Sequence, residues 1–142
     1  MLRDAIEKPG DHSPQSLREE YDDLLAGTIE DVGLEGAAAL TNLDEETLAA
    51  LLNGEGPDIT LEAATAILAL DESRPDAETL EAEARDILLM GMSIAVLDVE
   101  AVAAGIDDEL EPKEIQQKIE GRYPLTVDEY ALLHAFIESR KR

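Results

Sequence analysis

The chain has 142 residues, a formal net charge of −23, 44% hydrophobic residues and 3% aromatic ones. It contains no cysteine, which excludes disulfides, thiolate metal sites and a cysteine nucleophile. The apolar residues are too abundant and too periodic for a disordered acidic segment. A folded chain with 34 Asp and Glu against 11 Lys and Arg instead points to a salt-rich cytoplasm. There the Debye length falls to roughly 3 Å and self-repulsion fades.

Taken in chain order, "MLRDAIEKPGDH" lacks the apolar core of a signal peptide and reads as an N-terminal arm, residues 1–13. Ser13 and Pro14 then set up a helix over residues 14–32, with Leu17, Tyr21, Leu24, Leu25, Thr28, Ile29 and Val32 on one face. Gly33 ends it. Leu34–Thr41 predicts a short helix, Asn42 a tight turn, and Asp44 caps a helix whose Leu48, Leu51 and Leu52 face inward. Gly54 closes that helix, and Thr60 caps "LEAATAILAL".

The stretch "DESRPD", residues 71–76, predicts a linker between a first unit, 14–70, and a second, 77–139. The second unit repeats the order. A long helix over Ala77–Leu97 carries Leu80, Ala84, Ile87, Leu88 and Ile94 on one face. A short helix "VEAVAAGI" and a turn "DDELEP" follow. A helix starting at Pro112 ends at Gly121, and Thr126 with Glu129 forms a capping box for the last helix. Residues 140–142 are a basic tail. Leu43, Leu48, Leu52, Gly54, Pro57 and Thr60 recur as Leu110, Ile115, Ile119, Gly121, Pro124 and Thr126, a unit of roughly 65 residues written twice. Gly27 and Gly91 fall mid-helix at matching places, which predicts that the two long helices pack together there. No alternating strand pattern competes. The expectation is an all-α fold of about nine helices, two tandem units packed through their long helices into one body. The most apolar run, Ile87–Leu97, is too short to span a bilayer and predicts a buried helix. A cytoplasmic protein is therefore expected.

Short helix, tight turn, second helix, Gly, Pro and capped helix together resemble the Cro/repressor type of helix-turn-helix. In the first unit Ala38 and Ala39 match the small residues of the first motif helix. Asn42 stands for the usual turn Gly, Leu43 for the buried residue after it, and Asp44–Asn53 for the recognition helix. Asn53-Gly54, Pro57 and "TLEAATAIL" complete the match. The resemblance covers residues 34–70 and, more loosely, 98–137. The whole chain also resembles a haloarchaeal family of uncharacterised acidic proteins, through "LREEYDDLLAGTIEDVG", "ARDILLMGM" and "LEPKEIQQKIEGRYPLTVDEYALLHAFI". This implies a halophilic source and supplies no function.

A helix-turn-helix resemblance implies DNA contact through the second motif helix. In the first unit Asp44, Glu45 and Glu46 would repel phosphate, and Ala49 and Ala50 offer no donors. The second unit presents Lys113, Gln116, Gln117 and Lys118, with Arg122 just beyond. Gln can bond adenine bidentately, and Lys can reach guanine or phosphate. Residues 1–112 hold 5 basic and 29 acidic residues, whereas residues 113–142 hold 6 and 5. The leading expectation is a nucleic-acid-binding regulator acting through these five residues. The rival is a protein-interaction module, or a homodimer, that kept the fold without DNA binding.

Enzymatic chemistry, cofactors and metals find no motif. "GLEG" and "NGEGP" lack a phosphate loop's spacing and Lys. Asp22-Asp23 and Asp107-Asp108 fit no calcium loop. His134 reads as a packing residue beside Leu133 and Phe136, and His12 as a loop residue. Met90-Gly91-Met92 reads as core, with Gly91 allowing close helix approach.

Overall fold

The structure, a computed structural model, describes residues 5–141. Met1–Asp4 of the arm and Arg142 of the tail lie outside the described residues. After a short 3-10 turn at Pro9–Asp11, eight α-helices follow: α1 (Pro14–Val32), α2 (Leu34–Thr41), α3 (Glu45–Leu52), α4 (Leu61–Leu68), α5 (Ala77–Ala95), α6 (Val99–Gly105), α7 (Pro112–Ile119) and α8 (Val127–Ser139). The chain is all-α, and the order of long, short, short and capped helix occurs twice.

Local chemistry explains the boundaries. The Ser13 hydroxyl accepts the Ser16 N–H at 3.1 Å, and the Pro14 ring has no N–H to leave unsatisfied. Asn42 takes the left-handed conformation, φ 61, between α2 and α3. The corresponding turn between α6 and α7 spends two residues, Asp107 and Asp108, at φ 56 and φ 58. Asp44 occupies the N-cap of α3 but makes no capping bond with its side chain.

The packing is reciprocal. Helix α1 lies on α8 and α4, while α5 lies on α4 and α8. Between them, α4 and α8 touch where their caps meet. Leu61 N–H donates to the Leu125 carbonyl at 2.7 Å, and Val127 N–H to the Ile59 carbonyl at 2.9 Å. This pairs Thr60 with Thr126 in an isolated antiparallel bridge. Each of these threonines also caps its helix, accepting from Ala63 N–H at 3.1 Å and Glu129 N–H at 3.0 Å. The residues that repeat in sequence therefore face each other in space.

Two expectations need correction. The long helices do not pack together through Gly27 and Gly91. Gly27 is exposed, and a Cβ there would meet nothing within 4 Å. Gly91 is buried against α8, where a Cβ would come 2.7 Å from Ile137 Cγ2. The reason is the register of the buried faces. Leu17, Tyr21, Leu25, Thr28 and Ile29 of α1 match Leu80, Ala84, Leu88, Gly91 and Met92 of α5 at one constant spacing, so Gly91 answers Thr28. Second, Met90 and Ile94 are 46% and 49% exposed rather than core, and α5 stops at Ala95. Opposite responses follow from the two glycines. Gly27→Ala should stabilise by about 0.5–1 kcal/mol, through helix propensity alone. Gly91→Ala should destabilise by about 1–3 kcal/mol, because β-branched Ile137 must move. Urea midpoints of the two variants check both signs.

The stretch 71–76 is not a free tether. Arg74 donates to Thr28 Oγ1 at 3.0 Å and to the Leu68 carbonyl at 3.1 Å, fixing the connection against α1 and α4.

Candidate functional site

Helix α7 is held by its apolar side. Ile115 and Ile119 are buried, and α7 packs on α6 and α5. The Arg85 guanidinium of α5 reaches across, its Nε donating to the Lys118 carbonyl at 3.2 Å. The Glu114 carboxylate accepts the Glu111 N–H at 3.3 Å, so the helix start is fixed as well. Amphipathic spacing turns the other side outward. Lys113, Gln116 and Glu120 are exposed, and Gln117 is half-buried.

The five expected contact residues divide. Lys113 stands exposed, without an ion pair among the described residues. Gln116 Nε2 donates to Glu120 Oε1 at 3.1 Å. The Arg122 side chain is 72% exposed, with its Nε 3.3 Å from Glu120 Oε2. Lys118 is engaged: it pairs with Glu129 of α8, both side chains largely covered. Glu129 has two tasks there, since its other oxygen accepts the Thr126 N–H at 3.0 Å. Lys118 thus ties α7 to the cap of α8. The outward face gathers Lys113, Gln116, Gln117 and Arg122, with Glu114 and Glu120 interleaved. Such a face offers hydrogen-bond donors at low net charge.

Tyr123, beside Arg122, is 54% exposed. Together with Arg85 these two line a cleft of about 180 Å³ that also touches Glu62 and Glu81. The sequence signal was present in "RYP", an aromatic and a cation in a loop, but only the structure shows the ring in solvent. In the first unit Asp44, Glu45 and Glu46 are all exposed at the start of α3, and Ala49 and Ala50 are half-buried.

Two buried polar clusters lie away from α7. Arg18 Nε donates to Asp22 Oδ1 at 2.9 Å, one Nη to Asp128 Oδ1 at 2.8 Å, and the other to the Pro57 carbonyl. Burial raises the Asp22 carboxyl above its ordinary value, and the bond to Arg18 pulls it partly back. A cleft of about 420 Å³ opens beside Arg18 and Asp128. In the second cluster, His134 Nδ1 meets the Tyr21 hydroxyl, and His134 Nε2 lies 3.9 Å from Glu138 Oε1. Burial pushes His134 down to about 3, and Lys141 adds to the effect. Burial also keeps the Tyr21 phenol protonated, so it donates to a neutral imidazole. Tyr130 packs edge-on to Tyr21, with centroids 5.8 Å apart, and donates to the Ala84 carbonyl at 2.8 Å. His134 is a core residue whose Nδ1 is held by the Tyr21 hydroxyl.

Among the described residues no group of three or more His, Asp or Glu could hold a metal ion. No single helix among them is long and apolar enough to cross a membrane.

An all-α body with reciprocal packing is the class this architecture defines. The chain belongs to DUF5791, a family of unknown function, which matches residues 17–140. No curated protein and no solved structure matches it.

Proposed function

We propose that the protein is a nucleic-acid-binding regulator of a halophilic, haloarchaeal cytoplasm, using α6 and α7 as a helix-turn-helix and α7 as the helix that enters the groove. The observation that carries this reading is the outward face of α7. Lys113 and Gln116 are exposed there, with Arg122 and Tyr123 just past the helix end. Gln and Lys on that face can reach base edges, and Arg122 a phosphate. Lys118 acts as a positioning residue, because Glu129 holds it. The low count of free cations suits molar salt, in which affinity built on phosphate contacts is lost steeply and base contacts must carry more.

Retention of genomic DNA fragments in molar KCl tests the reading. The wild-type chain should retain a subset of fragments. The Lys113→Glu/Arg122→Glu chain should retain them at least about tenfold less well, since two charges change sign at the groove, a net change of about four units. A folded wild-type protein that retains no fragment overturns the proposal.

A second reading, a protein-interaction body with the same fold, is favoured by a different observation. Four large apolar side chains are exposed in or just beyond the C-terminal half of α5.

A further inference from the structure

Ile87–Leu97 is the longest stretch without a charged residue in a chain of net charge −23. Its inner side is core, with Leu88, Gly91 and Met92 buried. Its outer side is apolar too. Leu89, Met90, Ile94 and Val96 are 47%, 46%, 49% and 83% exposed, and the small Ser93 is exposed among them. Contiguous exposed apolar surface of this kind marks an interaction face.

The backbone at Val96 supplies an independent observation. Val96 closes α5 in the left-handed conformation, φ 56 and ψ 52. A β-branched residue is strained there, and glycine is the usual choice. Helix α1 ends on glycine, Gly33 at φ 93. Val96 therefore costs stability, and in the monomer its side chain gains almost no burial in return. Strain that holds an apolar group in solvent is a feature of functional positions.

We infer that this face of α5 docks onto the same face of a second copy, giving a two-fold dimer in which the α5 helices cross at Ser93. Charge selects the occupant. Two copies of so acidic a chain repel wherever carboxylates face each other, and this uncharged stretch is where they can meet without doing so. The face is also self-complementary, as a two-fold contact requires. Ser93 is small enough for close approach, and Leu89, Met90, Ile94 and Val96 flank it on both sides. Asp86, Asp98 and Glu100 stand exposed at its margins, so association should strengthen as salt screens them. The inference is independent of what α7 contacts.

Sedimentation equilibrium in molar KCl, with circular dichroism to confirm folding, tests it. The wild-type chain should be a reversible dimer at tens of micromolar and should dissociate on dilution. Ile94→Glu should weaken the dimer at least about tenfold, because its carboxylate would be buried unpaired. Val96→Gly should melt a few degrees higher yet dimerise several-fold less tightly, a divergence that a merely structural valine would not produce. A folded wild-type chain that stays monomeric throughout, even if α5 captures another protein, overturns the proposal. So does a dimer indifferent to both substitutions, or a Val96→Gly chain that melts lower.

Discussion

Replacing Arg18 by Met should cost about 3–5 kcal/mol of stability, the largest loss expected from any single surface-remote charge in this molecule. The substitution keeps most of the side-chain volume. It strands Asp22, whose side chain is only 9% exposed, as a buried carboxylate without its partner. It also removes the donor to the Pro57 carbonyl. Loss of the bond to Asp128 should matter little, because that carboxylate is 69% exposed and water can replace the guanidinium. Adding Asp22→Leu to Arg18→Met should recover at least half of the loss, since removing both partners leaves no orphan charge. Guanidinium unfolding of the single and double variants measures the coupling. A single variant within about 1 kcal/mol of wild type would show that Arg18 neither compensates buried Asp22 nor holds α1 to the loop at Pro57.

The second large effect is on acid stability. His134 titrates near 3 in the folded chain, against 6.5 as its ordinary value. The sign follows from proton counting. Between those values the unfolded chain binds a proton that the folded chain refuses, so stability falls as pH drops. The contribution is complete above about pH 6.5 and is lost toward pH 3, at about 1.4 kcal/mol per pH unit. From pH 7 to 4.5 the expected loss is about 2–3 kcal/mol. The groups that face the ring are Tyr21, Tyr130, Glu138 and, through Glu138, Lys141. Protonation of the many surface carboxylates works in the opposite direction by relieving repulsion. The informative quantity is therefore the difference between wild type and a Tyr21→Phe/His134→Leu chain, measured in molar KCl. The variant should lose this acid sensitivity while remaining folded, since its paired polar groups are removed together. Parallel pH curves for the two proteins would refute the assignment.

These two clusters also mark the limit of what could be read from the residues. Helix content was legible because caps and apolar spacing agree: Ser13, Asn42, Thr60 and Thr126 stand at the boundaries they predict. The expected recurrence agrees with the helix ends after α3 and α7, where glycine, proline and threonine recur. It was misread in the long helices. Two glycines suggested a crossing, whereas the buried faces set the true register, with Leu17, Tyr21 and Leu25 answering Leu80, Ala84 and Leu88. In that register the ion pair Arg18 to Asp22 answers Glu81 to Arg85, the same spacing with the charges exchanged. Acidic residues are so common here that neither pair stood out before the fold showed which carboxylates are covered. Lys118 was legible as a cation on α7 but not as the partner of Glu129, because that contact joins residues on separate helices. The exposure of Ile94 was equally hidden. Nothing in an uncharged run states which side of it faces water.

The short bridge between Thr60 and Thr126 bears on how the molecule comes apart. In a linear array each repeat leans only on its neighbours, and the copies can melt one after another. Here the two amides donated across the bridge, Leu61 and Val127, each belong to one unit and find their acceptors in the other. The same holds for Arg18 with Asp128 and Tyr21 with His134. Opening either unit would expose polar groups of both. Residues 14–70 and 77–139 are therefore expected to open together rather than one after the other.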